Sequence, residues 1–99
     1  MKLRWSQRAQ DDLVEIARFI AQDNPTAARN WVKRLRERAR QAAASPPAGR
    51  YVPERRREHI REVFLRSYRI IYRIQSTDVV VLTVLEGHRL LRPGVLDDE

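Results

Sequence analysis

The sequence contains no cysteine, which excludes a disulfide frame, a thiolate nucleophile and any cysteine metal site. Its two histidines, His59 and His88, are too few for a histidine-based metal centre without carboxylate help, so neither a metal nor a cofactor is expected. No apolar run reaches the roughly 20 residues of a membrane span. The N-terminal stretch MKLRWSQR lacks the apolar core of a signal peptide, and the expectation is a soluble, cytoplasmic chain. Lysine is nearly missing: of twenty basic residues, only Lys2 and Lys33 are not arginine.

What is present fits one small globular domain. Ninety-nine residues, 42% hydrophobic and 33% charged, can bury a single modest core and argue against wholesale disorder. The net charge of +7 and a pI near 11.0 point to an acidic partner, whether nucleic acid, an acidic protein or an anionic surface. Arginine favours bidentate contact with phosphate or carboxylate, although a GC-rich genome also replaces lysine by arginine without functional cause. The charge is uneven. Residues 50–73 hold eight arginines against Glu54, Glu58 and Glu62, a net of +5, whereas residues 74–99 carry a net of −3.

Residues 2–5 read as a short edge strand, followed by Ser6 as N-cap of a helix over about 7–22. Ala9, Leu13, Ile16, Ala17 and Ile20 recur at three- and four-residue steps and give that helix one apolar stripe, while Phe19 falls off it. Asn24 and Pro25 suit the N-cap and first position of a second helix, over about 25–44. Its apolar side is Ala28, Trp31, Val32, Leu35, Ala39, Ala42 and Ala43. The arginines crowding the rest fit either a solvated face or a nucleic-acid surface. So short a turn makes the two helices an antiparallel hairpin over about 7–44.

SPPAG, at 45–49, ends the helical half, and three strands follow at about 60–65, 68–74 and 79–85. In the middle one, Tyr68, Ile70, Tyr72 and Ile74 fall on one face and Arg69, Ile71 and Arg73 on the other. The first face reads as half of a core, the second as a row of guanidinium groups offered to an anionic partner. Residues 79–85 are apolar on both faces, as in an interior strand. Residues 90–99 form a tail with an acidic end. The fold class is therefore α+β, a helical hairpin packed on a small, mainly antiparallel sheet of about four strands.

The order of these pieces resembles the RelE/ParE superfamily of toxins from bacterial type II toxin–antitoxin modules. The resemblance rests on DNPTAA at the helical turn, the PPAGRYVPE link, REVFLRSYRIIYRI, and VVVLTVLEGHRLL, and it spans about residues 3–92. It implies a cognate antitoxin as partner in a hetero-oligomer, with no membrane partner. Two mechanisms occur in the superfamily. ParE-like members block DNA gyrase; RelE-like members are ribosome-dependent ribonucleases that cut messenger RNA. The long helices, DNPTAA and GRYVPE are closer to the ParE branch.

Cleavage by a ribose 2′-hydroxyl needs a base, cations for the phosphorane and an acid for the leaving oxygen. Glu54, Arg69, Arg73 and His88 are the candidates, and Glu54, Arg69 and His88 resemble the residues of one ribonuclease branch in order and spacing. Yet Arg89 stands where that branch carries an aromatic residue, and the lysine-rich site of the other branch is missing. For gyrase the contact candidates are Arg61, Arg69, Arg73, His88, Arg89 and Arg92. For the antitoxin they are Trp5, Phe19, Arg55, Arg56 and Arg57. Simpler roles stand beside these: Glu54 can pair with a neighbouring arginine, and Arg69 with Glu54 or Glu62.

Overall fold

The computed structural model describes residues 1–87 together with Leu91, Gly94 and Leu96. Strand β1 (Lys2–Trp5) leads into α1 (Gln7–Ala21) and α2 (Pro25–Ala44), the expected hairpin. A 3-10 turn over Pro46–Ala48 delivers the chain to β2 (Arg50–Tyr51), then β3 (Ile60–Leu65), β4 (Tyr68–Ile74) and β5 (Asp78–Glu86). The order across the sheet is β1-β5-β4-β3-β2, with β1 parallel to β5 and the other pairs antiparallel. The described sheet thus has five strands where about four were expected. The addition is β2, whose two residues are too short for any alternation to register in sequence.

Local chemistry places the helices. Ser6 caps α1 by accepting the Ala9 N–H at 3.0 Å, and its hydroxyl donates to the Leu82 carbonyl at 2.9 Å. Asn24 accepts the Ala27 N–H at 3.0 Å, and Pro25 opens α2. The Ser6 contact has a second use, because β1 pairs with β5 only as far as Val81. Beyond that point α1 covers the strand edge: the Ser6 N–H donates to the Val81 carbonyl, and the Asp12 carboxylate accepts the Val84 N–H at 2.9 Å. Backbone groups that a neighbouring strand would satisfy are satisfied by the Ser6 backbone and by the Ser6 and Asp12 side chains instead.

The sheet has two unlike faces. Against the helices, Leu13, Leu35, Val63, Ile70, Tyr72 and Val81 belong to the main apolar core. Fully burying one such side chain stabilises the fold by about 1.5–3 kcal/mol. Trp31 meets Tyr68 edge-on at this face, 5.6 Å between ring centroids, and burial pushes the Tyr68 hydroxyl pKa up with the Glu86 charge adding to it. The Tyr72 hydroxyl donates to the Pro46 carbonyl at 2.6 Å, and a Cβ on Gly49 would overlap that hydroxyl. This close approach explains the glycine in the PPAG link. The opposite face carries a second, smaller cluster of Val52, Ile60, Ile71, Val80, Leu82 and Leu96.

Candidate functional site

Arg69 lies on that opposite face, in register with Phe64 of β3 and Leu85 of β5. The sequence pattern predicts it as a cation presented to a partner; in the structure it is only 5% exposed. Two carboxylates account for the difference. Glu62, one register step along β3 and itself buried, accepts from Arg69 Nε at 2.9 Å. Glu54, from the irregular link between β2 and β3, takes the end of the fork: Nη1 to Oε2 at 2.9 Å and Nη2 to Oε1 at 2.8 Å. Both partners foreseen singly for Arg69 are engaged together. The bidentate geometry suits a guanidinium facing a carboxylate plane.

The network extends at both ends. Arg50 donates through Nε to Glu62 Oε2 at 2.6 Å while its guanidinium sits 4.8 Å from the centre of the Phe64 ring. At the other end the Leu91 N–H donates to Glu54 Oε2 at 3.0 Å. Chiefly through Arg69, and with help from Leu91, Glu54 is held down at a pKa of about 2 despite partial burial, which acts the other way. The Arg69 pKa is raised by the same contact. A general base works best when its pKa lies near the operating pH, and its lone pairs must reach the proton it takes. Glu54 is far from that state, and Arg69 is turned toward protein carboxylates.

The other candidates separate. Arg61 donates to the carbonyls of Glu58, Pro47 and Gly49 at 2.9, 2.7 and 3.0 Å and stacks over Tyr51, tying the link after α2 to the sheet. Arg73 lies farther along the face of Arg69, half-buried in register with Ile60 and Val80. Arg69 and Arg73 do not form a pair of exposed phosphate clamps, because carboxylates enclose the first and apolar neighbours flank the second. His88, Arg89 and Arg92 lie outside the described residues. Among the described residues no cluster of His, Asp and Glu is placed to hold a metal ion, and no helix is long and apolar enough to cross a membrane.

Of the residues expected at an antitoxin surface, Phe19 is 72% exposed. It lines a groove of about 540 Å³ with Ile16 of α1, Tyr68 of β4 and Val84 and Leu85 of β5. Trp5 is placed elsewhere, half-buried against the main core with the Arg36 guanidinium 5.3 Å from its ring centre. Arg55 is half-buried, whereas Arg56 and Arg57 are exposed in the link before β3. The sequence reading gave no role to Arg50 and none to Leu91 or Leu96 beneath the sheet. The signal for Glu62 was available: it shares the face of Ile60 on β3, where an unpaired charge would be costly.

A family model described as the ParE toxin of the type II toxin–antitoxin system parDE matches residues 3–91. Y4kP of Sinorhizobium fredii, a protein whose name places it with toxins, is 38% identical over 90 residues, 89% of this chain and 90% of its own length. A solved structure of the chromosomal ParDE TA system from P. aeruginosa superposes with a TM-score of 0.71 at 21% identity. It covers 87% of this chain and 95% of its own. At that identity the structural likeness speaks for the fold.

Proposed function

Because the chain belongs to the ParE toxin family of type II toxin–antitoxin systems, we propose that it inhibits growth by binding DNA gyrase and is neutralised by a cognate antitoxin. The observation that carries the gyrase reading is the closed Glu54–Arg69–Glu62 network. A RelE-like ribonuclease would need Glu54 to take a proton from a ribose hydroxyl and Arg69 to face the developing phosphorane charge. Here each is the other's partner. A binding toxin needs neither group free, and its fold uses the pair as structure.

The antitoxin, on this reading, covers the groove beside Phe19, where an exposed aromatic ring stands next to Ile16, Val84 and Leu85. Apolar surface of this kind on a small toxin suits a partner's amphipathic segment. The groove also carries Asp12, Glu15 and Glu86, and Arg56 and Arg57, exposed in the link before β3, are separate antitoxin contact candidates. The toxin works in the cytoplasm, where gyrase is.

Brief induction in cells, with messenger RNA 5′ ends and plasmid supercoiling followed together, tests the reading. Altered supercoiling is expected in the wild type, with messages intact in the wild type and in His88→Ala alike. Early, codon-positioned cuts that disappear in His88→Ala would make the protein a ribonuclease.

A further inference from the structure

The outer edge of the sheet gathers exposed aromatic rings and arginines that the fold accounts for only in part. Strand β2 ends the strand order, and its two residues point to opposite faces of the sheet. On the helix side Tyr51, 43% exposed, carries the Arg61 guanidinium 4.4 Å from its ring centre. On the far side Phe64, 38% exposed, carries that of Arg50 at 4.8 Å. Arg38 of α2 donates through Nε to the Phe64 carbonyl at 3.1 Å, and Arg66 is exposed in the turn that follows β3.

We propose that this edge binds single-stranded DNA, with Tyr51 and Phe64 as stacking platforms and Arg50 and Arg61 as phosphate contacts. The choice of DNA over RNA rests on the gyrase reading, since that target works on DNA. The surface itself rests on rings and charge.

Three features support it. Phe64 shares its face with Ile60, which is buried in the second cluster, yet its own ring is turned to solvent. There a nucleobase can stack on the ring or on the guanidinium plane beside it. The charges also stay available to phosphate. Arg38 and Arg61 are bonded to carbonyl oxygens, which do not cancel a positive charge. Arg50 reaches Glu62 through Nε while its side chain remains 59% exposed. Finally, Tyr51 pairs with Arg61, three positions before Phe64 on β3, which sets the two rings roughly 10 Å apart along the edge. That lies inside the footprint of a few nucleotides. A duplex keeps its bases stacked, and an acidic protein segment brings charge without bases, so exposed rings beside arginines favour the unpaired strand.

Fluorescence anisotropy of a labelled oligothymidylate of about 12 nucleotides, titrated with the full-length chain, tests the proposal. Binding is expected, with an affinity that falls steeply as salt rises. Phe64→Ala and Tyr51→Ala should each weaken it about tenfold, and Phe64→Trp should keep it. Arg29→Ala, on α2 roughly 13 Å along the helix from Arg38, should change it less than about twofold. No binding by the wild type, or undiminished binding by Phe64→Ala, overturns the surface. Arg29→Ala as damaging as Phe64→Ala does so too, in favour of diffuse attraction between charges. An oligoadenylate–oligothymidylate duplex bound more tightly than the single strand overturns base stacking. Displacement of the strand by polyglutamate at equal charge would mark an acidic-protein site instead. An oligouridylate bound more tightly than the oligothymidylate overturns the choice of DNA. A wild type without effect on gyrase defeats the target reading separately, and oligothymidylate binding still decides the surface.

Discussion

The two faces of the sheet are held by different physics. The helix side is an ordinary apolar core in which Leu35, Ile70 and Tyr72 are at most 1% exposed. The far side joins a small apolar cluster to a chain of charges running from Arg50 through Glu62 and Arg69 to Glu54. Burial on the first side is stabilising residue by residue. On the second, each charge is tolerable only because its partner is present, so the loss of one member harms the others. The contrast makes the helix face a source of stability and the far face a source of defined geometry.

The largest expected effect breaks the second face. Arg69→Ala leaves the enclosed Glu62 carboxylate with Arg50 alone and should destabilise by about 3–5 kcal/mol in urea unfolding. Replacing Glu62 and Arg69 together by leucine and methionine should cost less, because the fully enclosed carboxylate is then gone and the Glu54 and Arg50 left behind are partly exposed. If the double replacement is as harmful as Arg69→Ala, the asymmetry drawn between the faces is wrong. On the helix side, Leu35→Ala should cost about 3 kcal/mol, with no second substitution able to restore it so simply.

Acid should sharpen the same contrast. The Glu54 pKa is lowered from its usual 4.5 to about 2 in the fold, so its contribution is complete above the unfolded value and is lost as pH falls toward 2. At neutral pH that contribution is roughly 2–3 kcal/mol. The stability gap between wild type and Glu54→Gln should therefore narrow between about pH 5 and pH 2, as read from urea midpoints across that range. A gap that stays constant through the window would remove Arg69 as the cause.

Smaller effects lie at the margins. Gly49→Ala should cost about 1–3 kcal/mol by pushing Tyr72 off its bond to the Pro46 carbonyl. Phe19→Ser should change stability by less than about 0.5 kcal/mol, because the ring is exposed, yet weaken antitoxin capture in a pull-down. Loss of stability with capture intact would take Phe19 out of the partner surface.

How far the sequence was legible follows the same division. Periodicity located both helices, β1, β3 and β4, because an apolar stripe or alternating face is a local signal. The bounds of β1, α2, β3 and β4 agree with that reading, α1 ends one residue earlier, and β5 is one residue longer at each end. Arg69 was only half legible for the converse reason. Its alternation with Tyr68 and Ile70 fits a cation offered to a partner as well as a partner for Glu54 or Glu62, and nothing within a few residues reveals that both carboxylates close over it together. Charge pairs between an irregular link and a strand leave no period. Leu96 was equally hidden, since the scattered leucines of the tail show no period that announces a second cluster. The family, by contrast, was readable from the order of short motifs, which local pairing does not disguise.

A pH titration of the Glu54 side-chain carboxyl carbon by NMR tests the account most directly. The structure places its midpoint near pH 2, as for a carboxylate held by the Arg69 fork and the Leu91 amide. A midpoint at the ordinary glutamate value of 4.5 would mean that Glu54 is free of Arg69. The closed network, and the case against Glu54 as a general base, would then both fail.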